Sequence, residues 1–130
     1  MNDIDTIMDM LNWHQPEDIQ AEGRKIAQNV KCISVFVMPI NGKCVWDNCA
    51  MILSEKNDDE LKHILPNLLF WFIDINWPGS LCIWDRLLKF KDKEWMSLFL
   101  NSRMKMALNY NEIWLHTLQE FKQEYDVLNP

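Results

Sequence analysis

Seven side chains in this chain could hold a metal or act as a nucleophile: His14, His63, His116, Cys32, Cys44, Cys49 and Cys82. A structural zinc site draws on closely spaced Cys and His ligands. No Cys-x-x-Cys occurs here, and no two histidines stand at His-x-x-x-His spacing. A nucleophilic cysteine needs a base within hydrogen-bond reach. Only the fold could bring Cys44, placed in a loop, to one of the scattered histidines. Asp58, Asp59 and Glu60 read as the acidic first turn of a helix, which suffices to explain them. The expectation is no catalytic set, no metal and no cofactor. A small hydrolase or transferase with a His/Cys site in a helical pocket stands as the alternative.

Charge narrows the partners. The formal net charge is −6 over 130 residues. Residues 1–65 carry six basic and eleven acidic side chains, and residues 66–130 carry seven and eight. An acidic half disfavours contact with phosphate backbones, which needs Lys and Arg to replace counterions. Arg86, Lys89, Lys91 and Lys93, with Arg103 and Lys105 further on, form the basic run. Asp85, Asp92 and Glu94 interrupt it, and no aromatic base-stacking motif accompanies it. A nucleic-acid partner is not expected, whereas the acidic half suits either a basic protein partner or simply a solvated acidic surface.

The Trp-Asp dipeptides Trp46-Asp47 and Trp84-Asp85 are the best candidates for partner contact. Trp is a favoured hot-spot residue at interfaces. The competing structural reading is that both tryptophans are core, since Trp84 shares a helical stripe with Leu81 and Leu88. Asp47 and Asp85, with Glu17 and Asp18, would form an acidic rim around such a groove.

The elements that must position these residues are helical. Few Gly and few β-branched runs accompany seven Trp, six Phe and eight Met, which argues for helices around a large core. Asp3 is a candidate N-cap for a helix carrying Ile4, Ile7, Met8 and Leu11. Pro16, Glu17 and Asp18 open a second helix. Its apolar face is Ile19, Ile26, Ala27 and Val30, and its Gly23 suggests close approach of a neighbour. Residues 32–38 read as a short buried helix or an extended connector. Val45 to Leu53 follow helical spacing. Asn57 and Glu60 form a capping box before a Leu-rich helix that Pro66 should kink. Leu81, Trp84, Leu87 and Leu88 point inward on the next helix, with Asp85 and Lys89 able to pair on its surface. Asp92 caps a helix burying Trp95, Leu98, Phe99, Ser102 and Met106. Asn109 with Glu112 caps the last, which carries Ile113, Trp114, Leu118, Phe121 and Tyr125 and frays from Asp126.

A tripeptide appears twice. Leu11-Asn12-Trp13 precedes Pro16, and Ile75-Asn76-Trp77 precedes Pro78. Superposing the two prolines also places Arg24 on Arg86 and Ile19 on Leu81. Asn12, Trp13, Asn76, Trp77 and Pro78 therefore read as structural hinges, Trp filling the gap between helices and Asn bonding freed carbonyls. The fold expected is all-α: a single domain over residues 1–130, a short HEAT/armadillo-like stack of helical hairpins with seven or eight helices. The longest apolar stretch, Leu68 to Ile73, is too short to span a bilayer. Met1 to Asp5 is acidic and lacks an apolar signal core. A cytoplasmic protein with free thiols and no membrane partner is expected.

The stretch from Leu65 to Gly79, with its Asp74-Ile-Asn-Trp-Pro-Gly79 end, resembles a family of small bacterial all-helical, HEAT-like domains of unknown function. Trp46 to Ala50 and Asn12-Trp13 are similar to that family too, so the resemblance covers most of residues 1–90; the last forty residues add nothing specific. Phe70 stands where similar sequences often have Glu. Some members of the family resemble toxin-immunity proteins. The resemblance implies a non-enzymatic protein-binding module, an immunity-type inhibitor of a basic toxin domain. A structural or oligomerising domain, acting through Phe70-Trp71-Phe72, is a further alternative.

Overall fold

A computed structural model describes residues 3–130; Met1 and Asn2, part of the acidic start noted above, lie outside the described residues. Eight α-helices make up the described chain, with no strand among them: α1 (Ile4–Leu11), α2 (Glu17–Ala27), α3 (Trp46–Ser54), α4 (Asp58–Lys62), α5 (Leu65–Leu68), α6 (Ser80–Leu88), α7 (Lys93–Leu108) and α8 (Glu112–Leu128). Three 3-10 turns, Ile33–Phe36, Lys43–Val45 and Leu69–Ile73, join them. The all-α expectation of seven or eight helices holds.

Helix starts follow local chemistry. Asp3 accepts from the Thr6 N–H at 2.8 Å, and Asp92 accepts from the Trp95 N–H at 3.0 Å. Asn57 and Glu60 bond each other's backbone N–H at 2.9 and 3.3 Å, the reciprocal box that satisfies two otherwise orphaned donors. At α8 the cap is Asn111, which accepts from the Trp114 N–H at 3.0 Å, not Asn109. That helix also runs on to Leu128 rather than fraying from Asp126. The Asn129 amide donates to the Leu88 carbonyl at 3.0 Å and ties down its end.

Pro66 does more than kink the Leu-rich segment. The chain breaks into α4, α5 and the 3-10 turn Leu69–Ile73, because Pro sits in the first turn of α5 and cannot continue the preceding helix. The ambiguous segment 32–38 forms a 3-10 turn that buries Ile33 and Phe36.

Helix α1 packs on α2, and α7 on α8, as neighbours in sequence; α3 packs instead on α6, across the broken middle segment. In the first pair, a Cβ at Gly23 would lie 2.8 Å from the Met10 Cβ. The helices therefore touch where the sequence predicts a close approach. The core runs through every helix and holds Trp71, Trp114, Phe36, Phe72, Phe90 and Phe121, all 0% exposed.

Register on three helices differs from the expectation. On α6 the inward face is Ile83 and Leu87, and Leu81 is 65% exposed. On α7 Met96, Leu100 and Ala107 are buried, whereas Leu98 and Met106 are exposed. On α8 Ile113 faces outward at 74% exposure. Helix α7 is apolar on several faces, so periodicity alone leaves its rotation open; α5 and α8 decide it by packing on one side.

Two buried polar groups knit the first half together. Asn48 is 3% exposed and donates to the Leu11 carbonyl at 2.7 Å and to Gln20 Oε1 at 2.9 Å. It also accepts from Arg24 Nη1 at 2.6 Å. Lys56 reaches the Gln28 carbonyl at the C-terminal end of α2, at 3.3 Å. Its own carbonyl accepts from Arg86, whose guanidinium is paired with Asp58 at 2.6 Å.

Candidate functional site

Indole N–H groups hold the broken segments in place. Buried Trp71 donates to the Pro78 carbonyl at 2.8 Å, Trp46 to the Pro39 carbonyl at 2.9 Å, Trp95 to the Lys62 carbonyl at 2.9 Å and Trp114 to the Leu69 carbonyl at 3.2 Å. Lys62 and Leu69 lie where α4 and α5 stop and a carbonyl needs a partner, whereas Pro39 and Pro78 lie in the loops that lead into Lys43–Val45 and α6. These tryptophans are therefore latches between non-adjacent elements.

The turn between the 3-10 segment and α6 is held by a set of hydrogen bonds. Asp74 Oδ1 accepts from the Asn76 N–H at 2.8 Å, and the Asp74 carbonyl accepts from the Trp77 N–H at 3.0 Å. The Ser80 hydroxyl is shared between the carbonyls of Trp71 and Asp74, at 2.8 and 2.9 Å. Gly79 has φ +90°, and a Cβ there would lie 2.8 Å from both the Ala50 Cβ and the Trp71 ring. Only glycine meets both demands, the left-handed backbone and the close approach.

This turn presents Ile75, Asn76 and Trp77 at the surface, with an open hollow on each side. One hollow, of about 400 Å³, is lined by Asp47, Trp77, Pro78, Leu81 and Cys82. The other, also about 400 Å³, is lined by Asp74, Trp77, Ile73, Ile113 and Thr117. Trp77 is half-buried; its ring meets the edge of Trp46 at 5.6 Å between centroids, and Lys43 Nζ lies 5.4 Å from its centre.

The fold thus brings Asp47 together with the second hinge, Asn76, Trp77 and Pro78. Asp85 lies close enough for its charge, like that of Asp47, to act on Cys82. Burial pushes the Cys82 thiol up from its ordinary value; a Ser54 hydrogen bond opposes this, and the two carboxylates add to the rise. No ion pair joins Asp85 to Lys89 among the described residues. Glu17 and Asp18 stand apart from both hollows. Glu17 is paired with Arg24 at 2.8 Å, and Asp18 accepts from the Ile19 N–H at 3.0 Å. Trp46 is held in the aromatic cluster, 6.1 Å from Trp71. Trp84 packs edge-on against Phe121 at 5.0 Å, and its indole N–H donates to Glu124 at 3.1 Å.

The two copies of the hinge differ. Asn12 accepts from the His14 N–H at 2.9 Å and so closes the turn after α1. In the second copy Asp74 has that role, and the Asn76 side chain makes no hydrogen bond among the described residues. Trp13 is 45% exposed, so it does not fill a gap between helices. The Asp74 role was readable in sequence, since Asp two residues before an N–H favours such a turn. The outward Leu81 and Ile113 had no such signal.

Cys44 accepts from the Asn12 amide at 3.4 Å. No hydrogen bond among the described residues links it to a histidine ring, and the exposed His14 ring bonds Trp13 instead, at 3.2 Å. Glu60 and His63 stand at Glu-x-x-His spacing, but the Glu60 carboxylate is engaged in the α4 cap. Among the described residues no three His, Cys, Asp or Glu are grouped to hold a metal ion. Burial pushes the Cys49 thiol up to about 12, which keeps it inert. Phe70-Trp71-Phe72 is not an exposed surface: Trp71 and Phe72 are 0% exposed, and Phe70 lies under the Arg103 guanidinium, 4.6 Å from its ring centre. Among the described residues no helix is long and apolar enough to cross a membrane.

A family model for a domain of unknown function, DUF5071, matches residues 46–121. No curated protein and no solved structure matches the chain. The matched span begins at Trp46, takes in the Asp74–Gly79 turn and runs through α7 into α8. It therefore omits Asn12-Trp13 and includes much of the C-terminal stretch in which the residues alone offered nothing specific. With more than half its length inside that match, the chain belongs to the DUF5071 family of domains of unknown function.

Proposed function

We propose that this protein is a non-enzymatic protein-binding module that meets its partner through the face around Asn76 and Trp77. The observation that carries the reading is the convergence of Asp47 and the half-buried Trp77 on one open hollow, with Leu81 exposed beside them. An aromatic ring with a polar edge, set among apolar side chains, is the composition of an interface centre, and the unpaired carboxylate suits its polar rim. The hollow contains no Lys, Arg or His, so its charge suits a basic partner.

In its specific form, the protein is a bacterial, cytoplasmic immunity-type inhibitor whose acidic rim engages a basic toxin domain. Support comes from the acidic N-terminal half and from the sequence resemblance at the Asp74–Gly79 turn. The four free cysteines fit a reducing compartment. The sequential pairs α1/α2 and α7/α8 are the parts of the fold that a short HEAT-like array would contain.

A pull-down against the products of the genes flanking its own, at low salt and micromolar concentration, tests this reading. Capture of a basic protein that Asp47→Lys releases is the expected result. Failure to bind any flanking product removes the immunity form. A hydrolase or transferase would instead need one of the histidines to meet Cys44, and no hydrogen bond among the described residues favours that arrangement.

A further inference from the structure

The two hollows beside Trp77 share Ile75, Asn76 and Trp77. They are therefore two ends of one groove crossing a ridge. Each end holds one carboxylate, Asp47 on one side and Asp74 on the other, and neither is lined by Lys, Arg or His. Neither carboxylate has an ion pair among the described residues. The walls beside the carboxylates are apolar: Leu81 and Pro78 at one end, Ile73 and Ile113 at the other. An aliphatic stem ending in a cation fits each of them, stem on the wall and charge at the carboxylate.

The ridge narrows the choice further. Asn76 is exposed, and its carboxamide, with donors and an acceptor, is unused among the described residues. The middle of a helix satisfies its own backbone groups and offers none of them to that carboxamide. An extended chain exposes free N–H and C=O groups, and its alternate side chains point to the same side. The turn needs no rearrangement to present the ridge, because Asp74, Ser80, Gly79 and the Trp71 latch hold it.

Resting on the protein-binding reading above, we propose that the groove takes an extended, basic segment of a partner protein. Two Lys or Arg side chains at alternate positions enter the two hollows, and the peptide unit between them pairs with the Asn76 carboxamide. Lys43, over the Trp77 ring at 5.4 Å, lines neither hollow and competes with an incoming cation only for the ring face.

The test is a 15N-resolved NMR titration of the full chain with a capped Gly-Arg-Gly-Arg-Gly peptide. Gly-Arg-Gly-Gly-Gly and Gly-Glu-Gly-Glu-Gly serve as controls. Expected are saturable shifts at the Asn76 carboxamide, the Trp77 indole and the Ile113 amide, with the two-arginine peptide bound about tenfold tighter than the one-arginine peptide. Asn76→Ala, a surface change that leaves the melting temperature intact, weakens binding about fivefold. No saturable shift at millimolar peptide, equal binding of the controls, or indifference to Asn76→Ala overturns the proposal. A flanking gene product whose binding depends on Asp47 but not on Asn76 would leave the protein-binding reading standing and remove the extended segment alone. Peptide binding without any flanking partner would do the reverse to the immunity form.

Discussion

The indole N–H of Trp71 donates to the carbonyl of Pro78 at 2.8 Å, so a side chain from the 3-10 segment closes the loop that leads into α6. Trp71 is 0% exposed, while Trp77, six residues on, is half-buried. The two tryptophans divide the labour: one holds the turn and the other is displayed by it. Trp71→Ala should cost about 3–5 kcal/mol, as for a buried large-to-small change. Trp77→Ala should cost only about 1–3 kcal/mol, since much less of its surface leaves water. Thermal melts followed by circular dichroism would separate them. Equal losses would show that Trp77 is as much a part of the core as Trp71.

The two helical and turn glycines should respond to alanine with the same sign, against helix propensity in one case. Gly23→Ala would ordinarily stabilise a helix by about 1 kcal/mol. Here the new Cβ meets the Met10 Cβ at 2.8 Å, so α1 must move and the net effect is a loss of about 1–3 kcal/mol. Gly79→Ala adds a left-handed backbone to a similar clash and should be the worse of the two. Urea unfolding of both variants measures this, and a stabilised Gly23→Ala protein would refute the close α1–α2 approach.

Asn48 joins α3 to the end of α1 and to α2. Its alanine variant strands the Leu11 carbonyl and one arm of Arg24 in a buried site. A loss of about 2–4 kcal/mol follows. The neighbouring exposed Asp47→Ala should change stability by no more than about 0.5 kcal/mol. Chemical denaturation of the pair gives the comparison, and similar values for both would contradict the buried role of Asn48.

Tyr125 is 2% exposed, and its hydroxyl donates to the Phe90 carbonyl. Desolvation, aided by the charges of Asp58, Asp92 and Asp126, raises its ionisation from 10.0 to about 12. A group raised in the folded state favours its protonated form there. Its contribution is complete below pH 10 and is lost as pH climbs from 10 toward 12. Tyr125→Phe should lower stability at neutral pH by about 1 kcal/mol and remove this part of the alkaline decline. Unfolding free energies of both proteins at about pH 8 and about pH 11 decide it. Parallel declines would exclude Tyr125 as the titrating group.

Local chemistry by itself determined the helical class, most helix starts and several breaks in this chain. Asp3, Asn57 and Asp92 act on backbone groups three residues away, and Pro66 acts on the turn before it, so a linear reading sees cause and effect together. The Asp74–Gly79 turn was legible for the same reason, although its capping side chain proved to be Asp74 rather than Asn76. Helix rotation was not legible: Leu81, Leu98 and Ile113 look like core residues in a periodic pattern and lie outside it. Burial depends on which distant helix covers a face, and α6, α7 and α8 each have apolar residues on more than one face. Only the tertiary structure could decide the pairing of α3 with α6, the burial of Asn48 and Lys56, and the meeting of Asp47 with Trp77. Each of these joins residues far apart in sequence, through contacts that no local pattern encodes.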